Sequence, residues 1–514
     1  MKSITSSFCV LSLVSASASQ TSRMVVQTVQ TDSGLVQGHS AATAPEVSEY
    51  LGIPYAKPPI GELRFAAPQR YHGNGSINGT SFGFSCPISS TYSSQLQPSP
   101  EANLNLTAAG VKILDAIAQT GDRFSEDCLT LNIWTKPQVG EQGKAVMLWI
   151  YGGGFIAGNS DAPTYNGAHI ADQEDVVVVS INYRVNIFGF PGAPGSSNLG
   201  LLDQRLAIEW VRNSIAAFGG DPARITIFGE SAGGGAVDFY SYAWTADPVV
   251  AGFIAQSGTT EVVPPNDAST AAALWFNASM ILGCGGSGDN ATEVMNCMRT
   301  KDVAQITTAI SSLPNFVTSV DEQVVYSDYP ARSLAGNFIK KPMLIGHTDF
   351  EAGMVRIVSG LKNITLPDSI LDAFDLETFY CPAASRANVS VYNNVPIWRY
   401  RYFGDFPNMR LSETIHTGAY HGAEVNILFD TVPVGEGIPE STAAEIEIGD
   451  YMRGAWAAFA KDPENGLDAY GWPRYDPTKE TLIRLGYMNN TGPNVAFPGN
   501  YDSACGSIFP AIAS

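Results

Sequence analysis

Six short apolar runs constrain this chain more than any other feature: Val146–Ile150, Val176–Ile181, Ile225–Phe228, Phe253–Ala255, Met343–Ile345 and Ile397–Tyr402. Several lack the polar alternation of a half-exposed strand, so they are expected to be covered on both faces. Helical spacing fills the intervals. Residues 199–220 place Leu202, Leu206, Trp210 and Ile215 along one side and close on Gly219-Gly220. Near the end, Met452, Trp456 and Phe459 recur at i, i+4 and i+7. Strands alternating with helices predict an α/β fold: a large, mixed, mostly parallel sheet with helices on both faces. No Gly/Ser linker, charge run or repeat interrupts the pattern, so residues 19–514 are expected to form one domain.

The first residues, MKSITSSFCVLSLVSASASQ, read differently. Lys2, an apolar stretch from Phe8 to Val14 and the small residues Ala16-Ser17-Ala18 are expected to be a secretory leader, residues 1–18, that is removed. No other apolar run approaches the ~20 residues of a membrane span. The expected product is a secreted, extracellular protein. Without Cys9 six cysteines remain, none spaced Cys-x-x-Cys, so zinc ligation is not expected. Eight Asn-x-Ser/Thr sequons (Asn74, Asn78, Asn105, Asn277, Asn290, Asn363, Asn388 and Asn489) suit a glycosylated surface. The formal charge of −20 argues against nucleic acid and anionic membranes as partners.

The stretch ITIFGESAGGGAV, residues 225–237, breaks from an apolar run into glycines around Ser231. A tight strand-to-helix turn with glycine at 229 and 233 would push the Ser231 hydroxyl out of the backbone curve. The helix beginning near Ala232 would aim unpaired N–H groups at the space before it, where an acyl-transfer oxyanion forms. A second run of bare backbone, Gly152-Gly153-Gly154, follows Val146–Ile150. A serine so placed needs a base. In the order serine, acid, histidine, only His347, His416 and His421 follow Ser231. An intervening acid favours the last two, with Asp349 and Glu351 in the interval. His421 lies between small residues; His416 has a more polar setting.

At this point the chain resembles the type-B carboxylesterases, the carboxylesterase/cholinesterase family with the α/β-hydrolase fold. The likeness runs through YLGIPYAKPPIGELRFAAPQ (50–69), SEDCLTLNIW (125–134), LWIYGGGF (148–155), NYRVNIFGF (182–190), the 199–234 segment, AQSG (255–258) and YHGAEV (420–425). FYCPAASRA and VPIWRYRYFGDFPNMRL are most similar to secreted fungal members. The resemblance implies Ser231 as nucleophile, His421 as base and Glu351 as acid, with Asp349 as rival because Ala352 departs from the usual pattern. It implies an oxyanion hole of Gly153, Gly154 and the Ala232 amide, and no metal or organic cofactor. It implies disulfides Cys86–Cys128, Cys284–Cys297 and Cys381–Cys505, and ion pairs Arg64–Glu126 and Arg184–Asp203. A serine esterase working through an acyl-enzyme on a small-molecule ester is therefore expected. A non-catalytic binding module on the same fold is the alternative.

The substrate is less constrained. Cholinesterases hold a quaternary ammonium against a tryptophan in the loop closed by their first disulfide, and residues 87–127 contain none. The same loop, 86–128, is expected to act as a lid. Ile113, Leu114, Ile117 and Ala118 have roughly helical spacing, whereas the front half of the loop is almost wholly polar. Soluble short- to medium-chain esters are thus expected ahead of long-chain acylglycerols, with choline esters unsupported.

Overall fold

Buried on both faces, the apolar runs pair into one sheet of eleven strands. In chain order these are β1 (His39–Ser40), β2 (Ser48–Pro54), β3 (Thr130–Thr135), β4 (Lys144–Ile150), β5 (Val177–Ile181), β6 (Gly220–Glu230), β7 (Gly252–Gln256), β8 (Met343–Thr348), β9 (Ile397–Tyr402), β10 (Leu482–Leu485) and β11 (Val495–Ala496). Across the sheet they run β11-β10-β9-β8-β7-β6-β4-β5-β3-β2-β1. Neighbours from β5 to β10 are parallel, and the pairs at both edges are antiparallel. The computed structural model describes residues 28–99, 102, 104–137, 143–492 and 494–507. The expected leader lies outside the described residues.

All six runs become strands, and several extend past their apolar limits. β4 begins two residues early at Lys144, a buried cation whose Nζ lies 2.5 Å from Asp175 Oδ1. β2, β3 and β10 have no counterpart among the runs. In β3 (TLNIWT) every residue is buried, including Asn132. Its Nδ2 donates to Ser160 Oγ (3.1 Å) and Ser180 Oγ (3.0 Å), and its Oδ1 accepts from the Gly52 amide (2.9 Å). A buried amide so satisfied costs the strand little, yet it breaks the apolar pattern.

Five helices bear on the site: α1 (Ala108–Ile117), α2 (Leu199–Ser214), α3 (Ala232–Ala243), α4 (Ala352–Gly360) and α5 (Ala443–Lys461). α2 buries Leu206 and Trp210 and gives way to a 3-10 turn that ends at Gly219, φ 87°. α5 starts in a capping box between Thr442 and Glu445 and buries Met452, Trp456 and Phe459 completely. No helix among the described residues is long and apolar enough to cross a membrane.

Three disulfides join Cys86 to Cys128, Cys284 to Cys297 and Cys381 to Cys505. The first closes a loop that carries α1. Thr107 caps this helix through a 2.8 Å bond from the Gly110 amide. Gly110 itself lets the helix touch its neighbour, because a Cβ there would lie 2.2 Å from the Leu411 carbonyl oxygen. At the foot of the loop, Arg64 forms a two-pronged pair with Glu126 (2.6 and 2.5 Å) and also donates to the Arg299 carbonyl (3.0 Å). Arg184 and Asp203 form the second pair that the resemblance implied, with side chains 3% and 0% exposed.

Candidate active site

Strand register decides which loops meet. β4 and β6 pair Ile150 with Gly229; β6 and β7 pair Glu230 with Gln256. β7 and β8 pair Gln256 with Gly346. The loop 151–158, Ser231, Ser257 and Glu351 therefore leave the sheet along one carboxyl edge, where open α/β sheets collect their ligand-contacting loops.

Ser231 joins β6 to α3 at φ 58° and ψ −126°, a conformation that costs an L-residue on the order of 1–3 kcal/mol. Its neighbours make that turn fit. A Cβ on Gly233 would lie 2.0 Å from the Ile150 carbonyl oxygen, and one on Gly229 would lie 2.6 Å from the same atom. The Ser231 amide donates to the Gln256 carbonyl (2.9 Å), which ties the turn to β7. Ser231, His421, Gly153 and Gly154 line one cavity of about 290 Å³. Ala232 is buried as the first residue of α3, so its N–H has no partner within the helix.

Of the carboxylates considered from sequence, it is Glu351 that meets His421. Glu351 is fully buried at the start of α4, and its Oε2 lies 2.5 Å from His421 Nδ1. Its Oε1 accepts from the Thr348 amide (2.7 Å) and from Ser257 Oγ (2.6 Å). With Nδ1–H held by Glu351, the neutral imidazole keeps Nε2 as its acceptor. Asp349 is taken by Arg401 of β9, whose Nε donates to it at 2.7 Å. His416 is exposed, and its carbonyl accepts from Arg356 (3.2 Å). His347 is buried and stacked on Tyr380, with ring centroids 4.5 Å apart.

Sequence reasoning gave Ser257 no role. Its signals are its place just after β7 in the AQSG motif and a left-handed φ of 46°, and the second needs coordinates. Gln256 is a further case: its side chain bridges Trp456 Nε1 (3.0 Å) and Glu424 Oε1 (3.2 Å) beneath the site.

The sequence profile of the Carboxylesterase family matches residues 25–366 and 362–497. The chain belongs to the carboxylesterase family. It is 36% identical over 470 residues to the chlorogenic acid esterase of Aspergillus niger, covering 88% of this chain and 87% of that one. It is 34% identical over 506 residues to secreted lipase 5 of Gibberella zeae, covering 90% of each. The cholinesterase of Mus musculus is 30% identical over 523 residues, 89% of this chain and 83% of the relative. Like the family, the chain is a carboxylic ester hydrolase with the α/β-hydrolase fold.

In this carboxylesterase three acidic side chains surround one imidazole. Glu230 Oε1 lies 3.1 Å from His421 Nε2 and accepts no hydrogen bond among the described residues. Burial, with Glu351 adding to it and His421 opposing it, pushes the Glu230 carboxyl up from its ordinary range. Burial likewise raises Glu424, helped by Glu230 and Glu351. Burial alone would lower His421, but the facing Glu230 and Glu351 outweigh it and hold the imidazolium above its ordinary 6.5.

A pH profile reads this balance. A histidine base must be neutral to act, so with His421 in that role activity is expected to rise with pH through its titration. Glu230→Gln removes one stabilising negative charge and lowers that pKa. The acid limb of kcat/KM is expected to move to lower pH by roughly one to three units. A limb that stays in place, or moves up, contradicts this account of the electrostatics.

Proposed function

We propose that this carboxylesterase is a secreted serine esterase acting on soluble short- to medium-chain esters. The observation that carries the mechanism is the 2.5 Å contact of the buried Glu351 Oε2 with Nδ1 of His421, which lines the same cavity as Ser231. Ser231 Oγ attacks the ester carbonyl carbon while His421 Nε2 takes its proton. The developing oxyanion is held by the Gly153, Gly154 and Ala232 amides. His421 returns the proton to the leaving alcohol; water then attacks the acyl-enzyme by the same route and frees Ser231. Glu351 keeps its charge throughout, orienting the ring and stabilising the imidazolium. The leader-like N-terminus, three disulfides and seven exposed sequons support secretion. The eighth sequon, Asn388, is half-buried and accepts from Tyr475 OH (3.3 Å).

Cavity and lid support the substrate class. A space of about 290 Å³ suits a compact ester better than a long acyl chain. Its aromatic lining is Tyr92, Tyr165 and Tyr420, with no tryptophan for a choline group. α1 turns Ile113 and Leu114 inward, and Gly110 locks it against Leu411. One observation favours the lipase reading: Val111 and Ile117 on the same helix are 45% and 38% exposed. Two side chains make a far smaller apolar face than interfacial helices bury. Rates with p-nitrophenyl esters should peak at short or medium chains, and the rate with tributyrin should saturate below its solubility limit. A steep rise once droplets form, with long chains preferred, would identify a lipase instead.

A further inference from the structure

The glycine loop 151–158 holds an unfavourable backbone with little help from itself. Gly153, Gly154, Phe155 and Gly158 all have positive φ (112°, 61°, 61° and 109°), and Phe155 has no glycine's excuse. The loop's own bonds run from the Ile156 and Ala157 amides to the Gly153 carbonyl (3.0 and 3.1 Å). They leave the far end, Gly158, unanchored. That residue must also approach closely: a Cβ on it would lie 2.4 Å from both the Gly152 carbonyl oxygen and Tyr151 Cδ2.

Tyr183 OH holds the start of the loop at the Tyr151 carbonyl (2.9 Å), and two further residues grip it beyond that point. On the sheet side, the Asn186 amide donates to the Phe155 carbonyl (2.8 Å), and its Nδ2 contacts the Ile156 carbonyl (3.4 Å). On the opposite side the grip comes from the disulfide-closed loop. Gln119 Oε1 accepts the Gly158 amide at 2.8 Å. Gln119 is 3% exposed, lines the cavity, and itself has φ 53°. Its Nε2 donates to Asp122 Oδ2 (2.9 Å), which also accepts from Ser85 Oγ (3.0 Å) and from Asn159 Nδ2. The side-chain amide thus has both ends fixed, one on the glycine loop and one on the base of the lid.

We infer that Gln119 is a positioning residue for the oxyanion hole, through which the lid segment holds the strained glycine loop in its working shape. This rests on the reading of Gly153 and Gly154 as oxyanion donors. Loss of the Gly158 acceptor lets the loop relax toward ordinary dihedrals. The donors then drift from the oxyanion while the substrate's other contacts remain. The effect falls on the transition state, so kcat drops and KM holds.

The test compares two replacements of equal reach. Gln119→Met removes the acceptor and should lower kcat by about 10- to 100-fold, less than outright loss of an oxyanion donor. Gln119→Glu keeps the acceptor. The new carboxyl still accepts the Gly158 amide, so its kcat should fall far less than that of Gln119→Met. Affinity for a trifluoromethyl ketone, which adds Ser231 to form a tetrahedral oxyanion, should fall in Gln119→Met by the same factor as kcat. Equal losses in the two variants, or a kcat loss with unchanged ketone affinity, overturn the inference. If the unmodified enzyme does not bind the ketone, the oxyanion-hole reading fails and takes this inference with it. Hydrogen exchange on the unmodified enzyme gives a check that needs no variant: the Gly158 amide should be protected. Exchange at the rate of a free peptide overturns the contact.

Discussion

Ser231→Ala is expected to lower turnover by about 10⁶-fold, His421→Ala by a similar factor, and the double variant by little more. As nucleophile and base the two would act as a unit: without Ser231 the imidazole has no proton to take, and without His421 the hydroxyl has no acceptor. Among the described residues, Thr164 is the one other serine or threonine that lines the cavity. Glu351→Gln should cost less, about 10⁴-fold, because it disturbs the ring's tautomer without removing base or nucleophile. Initial rates with p-nitrophenyl acetate, together with labelling by an organophosphate serine probe, measure both effects. Loss of activity in His416→Ala with retention in His421→Ala would reassign the base. Asp349→Asn behaving as Glu351→Gln is predicted to behave would reassign the acid. Folded, unmodified protein that neither turns over nor takes the label would point to a binding module.

The largest expected effect on stability comes from Arg184→Met. The guanidinium donates to Asp203 through Nε (2.8 Å) and Nη2 (2.7 Å), and through Nη1 to the Ala66 carbonyl (2.9 Å). The Arg184 amide adds a bond to the same carboxylate (3.0 Å). Burial pushes the Asp203 carboxyl up, and Arg184 works against that rise. Removing the cation strands a buried carboxyl and the Ala66 carbonyl, at a cost of about 3–5 kcal/mol. The double replacement Arg184→Met with Asp203→Leu should recover most of it, because no buried charge remains unpaired. Urea midpoints at constant m report the difference. Single variants within 1 kcal/mol of the parent, on the order of a surface substitution, would mean that the pair does not anchor the fold. The consequence reaches the site, since Arg184 and the loop-gripping Asn186 share one segment.

Local sterics made part of this protein readable in one dimension. Strands covered on both faces favour apolar side chains throughout, so the centres of β4 to β8 stand out, whereas β9 (IWRYRY) buries Arg399 and Arg401 among its aromatic residues. A turn through which carbonyl oxygens pass within contact of a missing Cβ requires glycine, so Gly229 and Gly233 mark Ser231 without coordinates. Motif likeness carried the rest of the reading, including the three cysteine pairings. Periodicity failed where polar side chains are satisfied at long range. Asn132 in β3 finds Gly52 and Ser180, and Glu49 in β2 accepts from Trp134 Nε1 at 2.6 Å, so neither strand looks apolar in isolation. The choice between Asp349 and Glu351 also lay beyond local pattern. They are two residues apart in one turn, and the decision falls to β9, which brings Arg401 to the first and leaves the second facing His421. Gln119 is the extreme case: an unremarkable polar residue in a loop, made specific by the fold of that loop, which sets its side-chain amide against Gly158. Such pairings depend on which hydrogen-bonding groups the sheet register brings within 3 Å, and spacing along the chain carries no record of that.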